Sequence, residues 1–217
     1  MDPLNPQLTA DVSGTVYILD DDEDVLRFLE LAIRPLQLRI RAYQRPDQLL
    51  AEPMEPPDCL IVDWQLKGAD GLEVIARCQA RWPLASVILI SGKATIPITV
   101  TAMRQGVVCV LEKPVRPEEL RREIQAACHL GRRRTDADLR QKEARALIEE
   151  LNDNERAVLQ LIVQGIPNKR IAAQMNLAMR TIEKYRSALF SKLGVESAAE
   201  AAQIWLLSNL ENERAKT

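Results

Sequence analysis

No apolar run in the 217-residue chain approaches the roughly 20 residues a membrane-spanning helix needs. No membrane contact is therefore expected. The start, Met1-Asp2-Pro3, has neither the basic nor the apolar stretch of a secretion signal, and the expected location is the cytoplasm. Paired cysteines are missing too. Cys59, Cys78, Cys109 and Cys128 show no C-x-x-C spacing, and the single histidine, His129, adjoins only one of them. That argues against a Cys/His metal site and leaves small buried thiols in a reducing compartment. The chain also lacks a large net charge, at −2, but the charge is unevenly spread. Residues 1–130 carry 14 Lys and Arg against 19 Asp and Glu, whereas residues 131–217 carry 15 against 12. At this length and apolar content two modest domains fit better than one. The basic second part points toward nucleic acid.

What is present is a repeated juxtaposition. Val16-Tyr17-Ile18-Leu19 runs into Asp20-Asp21, Cys59-Leu60-Ile61-Val62 into Asp63, Val87-Ile88-Leu89-Ile90 into Ser91, and Val107 to Leu111 into Glu112-Lys113-Pro114. In a parallel sheet the C-terminal edges of such strands line up, so these polar residues converge on one rim, where open α/β folds place ligands. Clustered carboxylates repel one another unless a hard cation such as Mg²⁺ shares their oxygens. Lys113 offers a positive charge to a phosphoryl oxygen, and the Ser91 hydroxyl can donate to another. Asp63, at the end of the central run, is the candidate nucleophile, since a carboxylate can attack phosphorus to give an acyl phosphate. An acidic residue after a strand is more often a helix N-cap, and Asp20-Asp21-Asp22 could simply open a helix. Five suitable residues at matching strand ends are harder to explain that way.

The intervening stretches are helical. Val25, Phe28, Leu29, Ala32 and Ile33 are expected to face inward, as are Leu72, Val74, Ile75 and Cys78. Leu38 to Tyr43 alternates and suits an edge strand, and Pro53 to Pro57 reads as a loop. Five βα units close into a doubly wound five-stranded parallel sheet with helices on both faces.

The acid, Ser91 and Lys113 set, with Asp70-Gly71 after Asp63 and Pro114 after Lys113, resembles the receiver domain of two-component response regulators. The resemblance implies a flavodoxin-like fold, a histidine kinase as phosphoryl donor and a cis peptide before Pro114. It also implies that Asp21, Asp63 and the Gln65 carbonyl ligate Mg²⁺ directly, with Asp20 acting mainly through water.

From Pro117 the pattern turns helical. Leu120, Ile124, Ala127 and Cys128 form one stripe, Gly131-Arg132-Arg133-Arg134 interrupts it, and Leu139, Leu147, Ile148 and Leu151 resume it. A long helix from about Glu118 to Glu149 is expected, with the arginine run as a solvated hinge and DNA phosphate contact as the lesser reading. Four shorter helices follow. The first opens on Asn152 and Glu155 as a capping box and carries Ala157, Val158, Leu161 and Ile162. The others are expected at Asn168 to Met175, Met179 to Leu193 and Ala198 to Leu210. Outward on the third lie Arg180, Thr181, Glu183, Lys184, Arg186, Ser187 and Lys192, a set able to reach phosphates and base edges.

Leu151-Asn152-x-x-Glu155, Asn168-Lys169-x-Ile171-Ala172, Thr181-Ile182-Glu183 and Lys192-Leu193-Gly194 resemble the LuxR-type helix-turn-helix. The whole chain thus looks like a NarL/FixJ-family response regulator. The expected organisation is a receiver over 14–130, a helical linker over 131–149 and an all-α helix-turn-helix domain over 150–212. The resemblance implies that the third helix, with Lys169 beside it, binds double-stranded DNA. The fourth helix then lies at a dimer contact, and the phosphorylated chain forms a homodimer. No enzymatic role is expected beyond self-phosphorylation and self-dephosphorylation. The alternatives are a phosphorylation-independent DNA-binding regulator whose receiver mainly dimerises, and a phosphatase-like hydrolase on the same rim. Four departures stand out. Lys67 replaces a proline and is expected to loosen the loop after Asp63, Val110 stands where an aromatic switch residue is usual, Lys93 puts a second cation near the rim, and Ala178 lacks the capping oxygen of Ser or Thr.

Overall fold

The computed structural model describes residues 14–51, 55–93 and 95–214, and the chain divides into two compact units at residues 135/136. The first unit holds strands β1 (Thr15–Leu19), β2 (Arg39–Tyr43), β3 (Cys59–Asp63), β6 (Ser86–Ser91) and β7 (Val107–Glu112). They form one sheet in the order β2-β1-β3-β6-β7, and every pairing is parallel. The edge position expected for the second strand is the observed one.

Why the strand sequences are continuous apolar runs is plain from the layering. Val16, Ile18, Cys59, Ile61, Ile88 and Ile90 pack on one face against α1 (Glu23–Ile33) and α5 (Pro117–Glu149). Tyr17, Leu19, Leu60, Val62, Val87 and Leu89 pack on the other, against Leu49 of α2 (Pro46–Ala51), Val74, Ile75 and Cys78 of α3 (Gly71–Arg81) and Ala102 of α4 (Ile96–Arg104). With a helix layer on each side, neither parity of side chain meets water. Two elements had no clear signal in the sequence: α2, and a two-stranded antiparallel hairpin of β4 (Gln65–Leu66) and β5 (Ala69–Asp70). Of the Pro53 to Pro57 loop, residues 55–57 carry no regular structure, and Pro53 and Met54 lie outside the described residues.

Helix α1 corrects the expected inward face. Leu26 is buried, whereas Phe28 is 43% exposed, so the buried stripe is Leu26, Leu29, Ala32 and Ile33. A wide apolar stripe hides which of two adjacent residues turns in, and packing against the sheet decides it. All four cysteines are free of disulfides; Cys59, Cys78 and Cys128 are buried as expected, whereas Cys109 is only half-buried. Burial pushes the Cys78 and Cys109 thiols up to about 11.

Helix α5 is continuous over 33 residues. Gly131 is buried in the helix, where a methyl group would overlap the Asp58 carbonyl oxygen, while Arg133 of the arginine run is exposed. The missing side chain lets the helix touch the backbone leading into β3. Arg132 pairs with the Asp58 carboxylate at 3.7 Å, and the same carboxylate accepts the Thr15 N–H. Leu139, expected in the apolar stripe, is 51% exposed.

The second unit contains α6 (Asp153–Val163), α7 (Asn168–Met175), α8 (Met179–Leu193) and α9 (Ala198–Arg214). Its core joins Ile148 and Leu151 to Val158, Leu159, Ile162, Ile171, Ile182, Leu189, Leu193 and Ala201. The capping box at Asn152 and Glu155 is present in both directions. Asn176, in the left-handed conformation, closes α7 and turns the chain toward α8, whose N-cap Ala178 makes no side-chain hydrogen bond. Leu159 is fully buried, and Leu161 packs partly buried against the same core.

Candidate functional site

The C-terminal ends of β1, β3, β6 and β7 bring Asp20, Asp21, Asp63, Ser91 and Lys113 together on one rim. Ligand oxygens of Asp20, Asp21 and Asp63 lie within 4.8 Å of one another. Lys113 Nζ is 2.7 Å from Asp20 Oδ2 and 2.7 Å from Asp63 Oδ1, bridging two carboxylates that are nearly buried. Helix capping accounts for only one residue of the acidic run. Asp22 caps α1, accepting from the Asp24 and Val25 N–H groups, and so leaves Asp20 and Asp21 to the rim.

The backbone holds these side chains from several directions. Asp20 Oδ1 accepts from the Asp22 N–H at 3.0 Å, and Asp63 Oδ2 accepts from the Gln65 N–H at 2.7 Å. Buried Ser91 accepts the Lys93 N–H on Oγ at 3.1 Å, while the Ser91 carbonyl accepts from the Lys113 N–H at 2.8 Å. The Lys113–Pro114 peptide is cis. Gly71 closes the loop beyond Asp63, and a Cβ there would press on the Asp63 and Trp64 carbonyl oxygens. That close approach is the physical reason for glycine after Asp70.

Charges on the rim are mutually adjusted. Burial drives the Asp20 carboxyl above its ordinary 3.8, more strongly than Lys113 and the Asp22 N–H pull it down. Burial acts to lower the Lys113 ammonium, but hydrogen bonds to Asp20 and Asp63 outweigh it and hold Lys113 above 10.5. An acidic site so compensated suits hard-cation and phosphoryl chemistry, in which a cation held by the carboxylate oxygens and a fixed ammonium offset a developing negative charge.

Sequence reasoning missed one rim group. Lys67 sits at the turn between β4 and β5, and its Nζ is 2.9 Å from Asp21 Oδ2. The loop is also a paired hairpin rather than a loosened segment, with Gly68 in the left-handed conformation supplying the tight turn. Nothing in the local pattern signals this contact, which the hairpin's geometry creates.

In the second unit, Arg180, Glu183, Lys184 and Ser187 are exposed on α8, with Thr181 half-buried and Lys169 exposed on α7. Two expected contacts are otherwise engaged. Arg186 donates to Asn168 Oδ1 at 3.1 Å and stacks 5.0 Å over the Phe190 ring. Lys192 is 2.6 Å from Glu155 Oε2 and donates to the Glu150 carbonyl at 3.2 Å. Lys192 is therefore an ion-pair partner of Glu155 within this unit, with its side chain still 38% exposed. A buried carboxylate is costly without a cation, and this one captures the nearest lysine.

Comparison with known proteins agrees with this geometry. The chain matches the response regulator receiver domain over residues 16–125 and the luxR family of bacterial regulatory proteins over residues 149–205. Nodulation protein W of Bradyrhizobium diazoefficiens is 32% identical over 195 residues, which cover 88% of this chain and 85% of that protein. The transcriptional regulatory protein FixJ of the same organism is 25% identical, with 92% and 98% covered. The solved structure of the response regulator StyR superposes with a TM-score of 0.77 at 29% identity, covering 88% of this chain and 96% of that one. A receiver implies a histidine kinase partner, and a LuxR-type domain implies DNA. Among the described residues no helix is long and apolar enough to cross a membrane. The chain belongs to the NarL/FixJ family of response regulators, DNA-binding transcription regulators controlled by phosphorylation.

Proposed function

We propose that Asp63 takes up the phosphoryl group, and that the chain has no enzymatic role beyond acquiring and hydrolysing it. In this reading a phosphohistidine N–P bond breaks as an Asp63 oxygen forms the new O–P bond. Lys113, already 2.7 Å from an Asp63 oxygen, neutralises charge on the transferring group. The Ser91 hydroxyl, which accepts from the Lys93 N–H, would donate its own hydrogen to a phosphoryl oxygen. Three carboxylates with oxygens within 4.8 Å fit a hard divalent cation. We assign Mg²⁺ to Asp20, Asp21, Asp63 and the Gln65 carbonyl, where it would supply Lewis-acid stabilisation of phosphoryl charge. Lys113 bridging Asp20 and Asp63 is the observation that carries the assignment. This complete rim disfavours a receiver that serves only for dimerisation.

The output of the switch is assigned to self-association. Val110 is no aromatic switch, so the signal runs from Ser91 and Lys113 through the segment after β6 to the face formed by α4 and β7. There Ile96, Val100 and Met103 are 81%, 43% and 50% exposed at i, i+4, i+7 spacing, a face that fits a second copy of the chain. Pairing two helix-turn-helix domains on adjacent half-sites then raises DNA affinity through effective concentration. The domain limits at residues 14–130, 131–149 and 150–212 remain part of this proposal.

The test is labelling with a small phosphodonor and Mg²⁺, followed by sedimentation. Wild type is expected to label and to associate more strongly. Asp63→Asn, nearly isosteric but unable to form an acyl phosphate, is expected to do neither while keeping its fold. Full labelling of that variant refutes the acceptor assignment.

A further inference from the structure

Asp21, one of the carboxylates assigned to Mg²⁺, already has a cation of this chain upon it. Lys67 Nζ lies 2.9 Å from Asp21 Oδ2, although the Lys67 side chain is 87% exposed. The contact follows from backbone placement. Lys67 and Gly68 form the turn of the β4–β5 hairpin, Leu66 beside it is buried, and Gln65 N–H is tied to Asp63. The hairpin thus presents a long, flexible ammonium at the mouth of the acidic rim.

We infer that Lys67 is a tethered competitor of the divalent cation: Mg²⁺ gains Asp21 only as Lys67 leaves it. This rests on Asp20, Asp21 and Asp63 being the Mg²⁺ ligands. Formal charge on the rim is three carboxylates against two ammonium groups. A divalent ion added with both lysines in place makes the cluster net positive, whereas one added as Lys67 swings away meets a cluster of net charge minus two. Binding and release of Lys67 are therefore linked, and each weakens the other. Lys113 cannot play this part, because it is held by two nearly buried carboxylates at the end of β7. Lys67 can, because its exposed stem regains rotational freedom on release. An exposed ion pair of this kind is weak, so the competition is worth a few-fold in affinity rather than orders of magnitude. The device raises the Mg²⁺ concentration at which the acceptor becomes competent.

Mg²⁺ titration of the full-length protein without phosphodonor, followed by fluorescence of Trp64 beside the acceptor, tests this, with Trp64→Phe as the blank. Lys67→Gln is expected to tighten apparent Mg²⁺ affinity about two- to fivefold, and Lys67→Arg to stay near wild type. Lys93→Gln removes the same charge from another exposed lysine near the rim and is expected to change affinity less than Lys67→Gln. Unchanged affinity in Lys67→Gln overturns the competition while leaving the Mg²⁺ assignment standing. An equal gain in Lys93→Gln, or a gain in Lys67→Arg equal to that of Lys67→Gln, overturns it as well. Absence of Mg²⁺ binding in wild type and all variants, checked by calorimetry, overturns the Mg²⁺ assignment and the inference together.

Discussion

Lys192→Met separates a structural ion pair from a DNA contact in a single variant. Glu155 is 4% exposed, and its Oε2 receives both Lys192 Nζ at 2.6 Å and the Asn152 N–H at 3.0 Å. One oxygen thus ties the start of α6 to the end of α8. Methionine keeps the stem and removes the charge, leaving the carboxylate to the capping N–H alone. Breaking a fully buried pair costs roughly 3–5 kcal/mol. Lys192 is 38% exposed, so water replaces part of the loss, and about 1–2 kcal/mol is expected after that discount. With m near 1 kcal/mol/M for so small a domain, the urea midpoint falls by about 1–2 M. Hydrogen exchange of α6 and α8 peptides in the full chain, at graded urea, reads this without interference from the receiver.

The acid limb supplies a second reading of the same pair. Burial alone would raise the Glu155 carboxyl, but Lys192 and the Asn152 N–H outweigh it and hold it below 4.5. A depressed folded value means that the contribution is complete above 4.5 and is lost as pH falls through the lower folded value. In Lys192→Met that acid-side loss shrinks, because the carboxyl is no longer held down by the ammonium. An unchanged midpoint, with weakened DNA binding and a smaller salt slope, refutes the structural role and assigns Lys192 to the DNA face alone.

Two further outcomes are expected. Gly131→Ala gains about 0.5–1 kcal/mol of helix propensity but forces a methyl group into the Asp58 backbone, an overpacking cost of about 1–3 kcal/mol. Thermal unfolding should show a destabilised receiver, whereas a more stable variant would refute the packing contact at Gly131. Lys184→Ala, on the exposed face of α8, should weaken binding to a random-sequence duplex and reduce the salt slope by about one; unchanged binding and slope remove Lys184 from the interface.

The sequence by itself determined the parallel sheet, the rim residues and the four helices after residue 150, because each rests on short-range rules. Strands buried on both faces must be apolar at both parities, as Tyr17 and Ile18 are. Caps are read within four residues, as at Asn152 and Glu155. The ends of α7 and α8 were legible for the same reason, from Asn176 and Gly194. Only tertiary structure decided the matters that depend on what lies opposite. Phe28 rather than Leu26 turned out to be exposed, Gly131 proved to be a contact surface, and Lys192 and Arg186 proved to have partners within their own unit. Lys67 belongs to the same group. Its substitution was visible in the chain, but its partner, Asp21, lies on another strand end, and only the hairpin brings the two within reach. Charged side chains with long stems follow the nearest opposite charge, acceptor or aromatic face, and no local pattern records where the fold will place that partner.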